Sequence, residues 1–315
     1  PNLNFDLSRP NAQENAITDI SDAQPNEPLV EYLREVARYW LGELDIDGFR
    51  LDVPNEVPFW FWKEFRAVVD EVKPDAFLIG EIWGNAMPWM GPGGFHSTMN
   101  YKYFRDPVLK FFGQGHGSAA QLDNELAPGR SLYPIQATQV MMNLIDSHDT
   151  ERYLTTAGNK SEKLMLAALF QMTYVGIPQI YYGDEVGMRG GKDPDCRRTF
   201  PWNWEESPRR VRVHDFYRKV IGIRKEYAAL RTGSFKTVLT DGKLYSFIRE
   251  DDANRIVVVL NNGGSSAKVN LELGGFGFVD GAVLSDKLGG GSYTIAGGAV
   301  EIELSQLSGA ILVLQ

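Results

Sequence analysis

Gly48-Phe49-Arg50-Leu51-Asp52-Val53-Pro54-Asn55-Glu56 (GFRLDVPNE) is the stretch on which the fold turns. Phe49, Leu51 and Val53 alternate with Gly48, Arg50 and Asp52, the two-residue period of a β-strand. Arg50 and Asp52 therefore point to one side. Taken alone, the stretch reads as an edge strand carrying a solvated salt pair. The rest of the chain changes that reading.

Downstream, apolar strands alternate with amphipathic helices. The runs AFLIGEI (76–82), TMNYKYF (98–104), QVMMNLI (139–145) and IPQIYYG (177–183) read as strands, with the opening strand at 47–53. Leu29, Leu33, Val36, Ala37, Trp40 and Leu44 recur at helical spacing, as do Phe61, Phe65, Val68, Val69 and Val72. The aromatic run FWFW (59–62) reads as core rather than as a binding platform. Further helices are expected near 105–112, 160–173 and 211–230. Strands alternating with helices imply a parallel sheet covered by helices, with five strands in this chain. Residues 5–28 are polar and rich in turn formers, and read as a long loop.

After Arg231 the texture changes. Of 32 glycines, 14 fall in residues 233–315, between short runs such as KLYSFIR, RIVVVLN, AVEIEL and AILVL. Short strands with glycine-rich turns predict an antiparallel β-sandwich. The expected division is 1–232 and 233–315.

Composition narrows the function. A net charge of −9 excludes a nucleic-acid binder of the basic-stripe kind, and no apolar run reaches the ~20 residues of a membrane helix. The single cysteine, Cys196, excludes an internal disulfide and suits a reducing compartment, so a cytoplasmic location is expected.

Polar residues gather at the C-terminal ends of the parallel strands: Arg50 and Asp52, then Glu81 and Trp83, then DSHDTER at 146–152. In an α/β barrel these ends converge on one mouth. A salt pair explains one strand end but not three, and carboxylates are costly to bury as mere structure. Paired carboxylates serve glycosyl transfer, one as nucleophile and the other as acid and then base.

GFRLDVPNE, GEIW (80–83) and LIDSHDTER (144–152) resemble three ordered motifs of the α-amylase superfamily, glycoside hydrolase family 13. PNLN (1–4) resembles its additional motif, and PQIYYGDEVGMRGGKDPDCRR (178–198) resembles its eighth strand and following loop. The resemblance implies strands 4 to 8 of a (β/α)8 barrel followed by the C-terminal sandwich. It implies Asp52 as nucleophile, Glu81 as acid/base and Asp149 as the third carboxylate, with Arg50 orienting the nucleophile and His148 bonding the same sugar. Trp83 would wall the leaving-group side, with core packing as the alternative. Asp193 and Arg197 would bind the next sugar, although a loop salt pair accounts for them equally well. Cys196 reads as inert, and His96, His116 and His214 match nothing.

Asn55-Glu56 after the expected nucleophile, with EIW and SHDTER, resembles the neopullulanase, cyclomaltodextrinase and maltogenic amylase group. The implied substrates are cyclodextrins, pullulan or short maltooligosaccharides, with α-1,4 and some α-1,6 cleavage and no cofactor or metal. Pro54 and the long loop depart from that group. No Asn-His pair of the third-strand motif occurs, and five strands fall short of eight. The expectation is therefore the C-terminal part of a longer enzyme, or a chain completed by a partner that supplies the missing N-terminal barrel segment. An α-glucan transglycosylase and a non-catalytic barrel subunit are the alternatives.

Overall fold

The computed structural model describes residues 25–315. The expectations for PNLN and for most of the loop 5–28 lie outside the described residues. The chain folds into two compact units, one reaching Asn100 and including Leu132–Met142, the other made of Tyr101–Ser131 and Asn143–Gln315.

In the first unit, β1 (Gly48–Leu51), β2 (Phe77–Gly80) and β3 (Ser97–Thr98) form a parallel sheet in the order β1-β2-β3. The register pairs Gly48 with Phe77 and Leu51 with Gly80. Gly48 lies at φ 151°, where a Cβ would stand 1.9 Å from the Phe77 carbonyl oxygen, so only glycine lets the strands approach. Helices Glu27–Arg38 and Phe59–Val72 accompany the sheet. The second buries Phe61, Trp62, Phe65, Val68 and Val69. Phe49 meets Phe65 edge-on at 5.5 Å and Trp62 meets Phe95 at 5.3 Å. The aromatic run thus divides: Phe61 and Trp62 are core, whereas Phe59 is 40% exposed and stacks on Trp89.

All five expected strands are shorter than their runs: β1 ends at Leu51, leaving Asp52 and Val53 beyond it, β2 ends at Gly80, before Glu81, and the other three depart further. The run 98–104 is strand only to Thr98, and Tyr101–Arg105 is a π-helical turn leading into Asp106–Val108 and Leu109–Gly113. Met99, Tyr101 and Tyr103 mimic strand alternation, but Tyr101, Phe104, Val108, Phe111 and Phe112 are buried at helical spacing. In 139–145, a helix begins after Pro134 and runs Ile135–Val140, leaving β4 (Met142–Asn143). The run 177–183 is strand only as β5 (Ile177–Pro178), before the turn at Gly183. Helix Ala119–Ser131 carries Pro128 and Gly129 within its last turn. A Cβ at Gly129 would lie 2.8 Å from that of Tyr103, so glycine admits this contact.

In the second unit, six antiparallel strands follow from Ser234: β6 (Ser234–Asp241), β7 (Leu244–Glu250), β8 (Arg255–Asn261), β10 (Val283–Asp286), β11 (Ser292–Thr294) and β13 (Ser308–Leu314), ordered β11-β10-β13-β8-β7-β6. β9 (Ala267–Glu272) and β12 (Ala299–Leu304) form a second antiparallel sheet. Both faces of the larger sheet are buried, which is why RIVVVLN and AILVL are continuously apolar. Tyr245, Phe247, Val258 and Ile311 share a core with Leu164, Ala168 and Phe170 of helix Ser161–Thr173. Val257, Val259 and Leu312 share another with Val269, Leu271, Val300 and Ile302.

Two buried arginines tie helices to the larger sheet. Arg249 on β7 donates to the carbonyls of Thr173, Leu230, Gly233 and Ser234. Arg224 donates to Met172, Leu230 and Gly176. These groups satisfy carbonyls left open at helix ends. Burial without a carboxylate partner lowers Arg249 to about 9 and Arg224 to about 10.

Candidate functional site

The expected residues gather in two groups, each inside its own unit. In the first, the parallel register sets the meeting. Leu51 pairs with Gly80, so the next residues of β1 and β2 emerge at one level, and the Glu81 N–H continues the ladder to the Leu51 carbonyl at 2.9 Å. Arg50 then grips both acids. Its Nη1 donates to Asp52 Oδ1 at 2.5 Å, and its Nη2 pairs with Glu81 Oε1 at 2.8 Å. The other Glu81 oxygen, Oε2, accepts the Val53 N–H at 3.2 Å.

The two carboxylates differ in setting. The Asp52 side chain is 78% exposed and that of Glu81 3%. The solvated Arg50–Asp52 pair is real, but Arg50 also reaches a buried acid. Burial pushes the Glu81 carboxyl above the ordinary range, and the Val53 N–H, Arg50 and Trp83 oppose it. The Asp52 charge adds only the smallest upward push. Burial, not the neighbouring carboxylate, is the main cause. Trp83 is 48% exposed, which removes core packing as its reading. Asn55 is exposed on the 3-10 turn Pro54–Glu56. Such an arrangement can donate a proton from a buried acid while presenting a second carboxylate to solvent.

In the second unit, His148 Nε2 lies 3.0 Å from Asp149 Oδ2, and Arg197 Nη2 lies 3.0 Å from Asp149 Oδ1. Arg197 Nε also pairs with Asp193 Oδ1 at 2.6 Å and donates to the His148 carbonyl at 3.0 Å. The loop salt pair therefore exists, and the same arginine holds the expected third carboxylate. Cys196 is buried, its thiol 3.1 Å from the His148 carbonyl oxygen. Among the described residues, no group of three or more His, Cys, Asp or Glu is placed to hold a metal ion, and no helix is long and apolar enough to cross a membrane.

Sequence reasoning missed a third cluster. Asp146 and Asp184 are 1% exposed and Arg152 0%. Arg152 Nη1 lies 3.5 Å from Asp184 Oδ1, and the Tyr153 N–H donates to Asp146 Oδ2 at 2.6 Å. Asp146 Oδ1 and Asp184 Oδ2 find no other donor, and the two carboxyls hydrogen-bond each other once one carries a proton. Burial pushes both upward. Both lie in the quoted motifs, LIDSHD and YYGDE, yet nothing local distinguishes a sealed aspartate from an exposed one.

Residues 18–209 match the family model described as alpha amylase, catalytic domain. Neopullulanase 2 of Thermoactinomyces vulgaris is 47% identical over 79% of this chain and 42% of its own length. Cyclomaltodextrinase of Thermoanaerobacter pseudethanolicus is 46% identical over 75% of this chain and 41% of its own. The chain thus spans less than half the length of these relatives. Among solved structures, a cyclomaltodextrinase superposes with a TM-score of 0.82 at 37% identity, covering 91% of this chain and 48% of that one. The debranching enzyme of Nostoc punctiforme gives 0.82 at 33%, covering 92% and 63%. A family match across more than half of the residues assigns the lineage, and the chain belongs to the alpha-amylase catalytic domain family.

Proposed function

We propose that this chain is the C-terminal part of a retaining glycoside hydrolase that cleaves α-1,4, and some α-1,6, glucosidic bonds in cyclodextrins, pullulan or short maltooligosaccharides. One observation carries the reading: Arg50 joins an exposed carboxylate, Asp52, to a buried one, Glu81, at adjacent parallel strand ends. Asp52 attacks the anomeric carbon while Glu81 protonates the leaving oxygen, and Glu81 then activates water. Burial favours the neutral acid that the first step needs. Asp149, held by His148 and Arg197, is the third carboxylate. Trp83, Asn55, Asp193 and Arg197 contact neighbouring sugars. The names of the relatives support the substrate class.

The same reading assigns 1–232 to strands 4 to 8 of a (β/α)8 barrel and 233–315 to a C-terminal sandwich. β1 pairs with β2 alone among the described residues, and a further barrel segment, in the same chain or a partner, would cover its free edge. The free thiol of Cys196 fits a cytoplasmic setting.

Two inversions leave the anomeric configuration unchanged. NMR of the first products from the intact enzyme should therefore show α-anomers; initial β-anomers would reject the roles of Asp52 and Glu81.

A further inference from the structure

Val53 follows Asp52 in a backbone conformation that its side chain resists. It sits at φ 39° and ψ 50°, in the left-handed region. A β-branched residue there is a true outlier, and the residue before a proline is ordinarily extended. Such strain persists only where the surroundings impose it.

Several contacts do so. The Pro54 carbonyl accepts the Trp62 indole N–H at 2.9 Å, and Pro54 is buried. The Glu56 N–H returns to the Val53 carbonyl at 2.9 Å, closing the 3-10 turn. Gly80, immediately before Glu81, makes room for this packing: a Cβ there would stand 2.7 Å from Phe95 and 3.3 Å from Pro54 Cγ. With Pro54 anchored and Asp52 continuing from β1, Val53 takes up the mismatch. The consequence is chemical. Its N–H points at Glu81 Oε2, at 3.2 Å, opposite the oxygen that Arg50 holds.

We propose that Val53 is a positioning residue: the strained turn Val53–Glu56 aims one backbone N–H at Glu81 and, with Arg50, fixes the orientation of that carboxyl. This rests on the reading of Glu81 as acid/base. The charged groups facing Glu81 are Arg50 and Asp52. Neither replaces a backbone donor, because Arg50 already serves the other oxygen. A donor to the ionised carboxylate also restrains the upward push of burial. Pro54, a departure from the resembled group, then has a purpose, since its fixed φ stiffens the turn.

Two NMR measurements on the full chain test the contact without relying on turnover. In the first, the Val53 amide proton is followed through the Glu81 titration. Its shift should move with the Glu81 midpoint, and the movement should vanish in Glu81→Gln. A Val53 amide that ignores Glu81 ionisation would overturn the proposal. In the second, the Val53 amide is replaced by an ester carrying the same side chain, which deletes the N–H alone. Glu81 should then bind its proton about threefold to tenfold more tightly, and an unchanged midpoint in a folded ester variant would overturn the proposal. Loss of the α-anomer result would instead remove the assigned role of Glu81 and leave this contact standing.

Discussion

Glu81 in one unit and the Asp146–Asp184 pair in the other are buried acids beside an arginine, yet their surroundings differ. Glu81 meets the guanidinium at 2.8 Å, takes a backbone N–H, and has an exposed carboxylate on the same arginine. Asp184 stands 3.5 Å from an arginine committed to the carbonyls of Cys196 and Tyr182, and its neighbour is a second sealed carboxyl. Glu81 is itself only 3% exposed, but the arginine it shares with Asp52 links it to a solvated carboxylate, a setting in which it can pass its proton to a substrate. A sealed pair can only share one. Burial alone therefore does not identify a catalytic acid; access and partner chemistry do.

Replacing Glu81 with Gln tests that contrast most severely. In the intact enzyme, activity on cyclodextrin should fall about a thousandfold, as loss of a general acid implies. The urea midpoint at pH 7 should hold or rise, because burial disfavours the ionised glutamate that Gln removes. With an activated leaving group, the alkaline limb of the pH–rate profile should flatten. A retained wild-type limb would exclude Glu81 as the acid.

Asp184→Ala should show the reverse pattern, a large loss of stability. It leaves Arg152 sealed without its carboxylate, at a cost of ~3–5 kcal/mol, read by urea unfolding. Asp184→Asn sharpens the point through pH. Burial raises the folded-state values of both aspartates above the unfolded ~3.9. Their neutral form thus stabilises the fold fully below about pH 4, and that contribution is lost as pH rises through the raised values. The wild type should lose stability relative to Asp184→Asn across that rise. Parallel curves would mean that no proton is shared.

The edge of β1 left unpaired among the described residues gives a third test. Residues 1–315 alone should turn over cyclodextrin at least about a hundredfold more slowly than the chain supplied with a barrel segment, because small displacements of Asp52 are that costly. A monodisperse, fully active monomer of these residues alone would defeat the partial-barrel reading. The smallest effect belongs to Val53→Gly. Glycine adopts φ 39° without strain, so stability should rise by ~0.5–1 kcal/mol after its entropic cost. A loss of that size would show that the valine side chain contributes more packing than strain.

The sequence alone was enough to determine the strand that carries Arg50 and leads into Asp52, the order of the motifs, the helices around 29–44, 59–72 and 160–173, and the change of texture that β6 follows at Ser234. Those features are local: a two-residue or helical period, a glycine-rich turn, a set of carboxylates at strand ends. Which acid is buried was decided only in three dimensions, by the register that pairs Leu51 with Gly80 and by the side chains closing over Glu81. The helical fate of Tyr101–Arg105 was decided there too, since Met99, Tyr101 and Tyr103 fit a strand as well as Tyr101, Phe104 and Val108 fit a helix. The meeting of Asp146 with Asp184, and the strained turn at Val53, depend on partners 38 and 28 residues away. Burial and hydrogen-bond direction are properties of such distant neighbours, and a period along the chain carries no record of them.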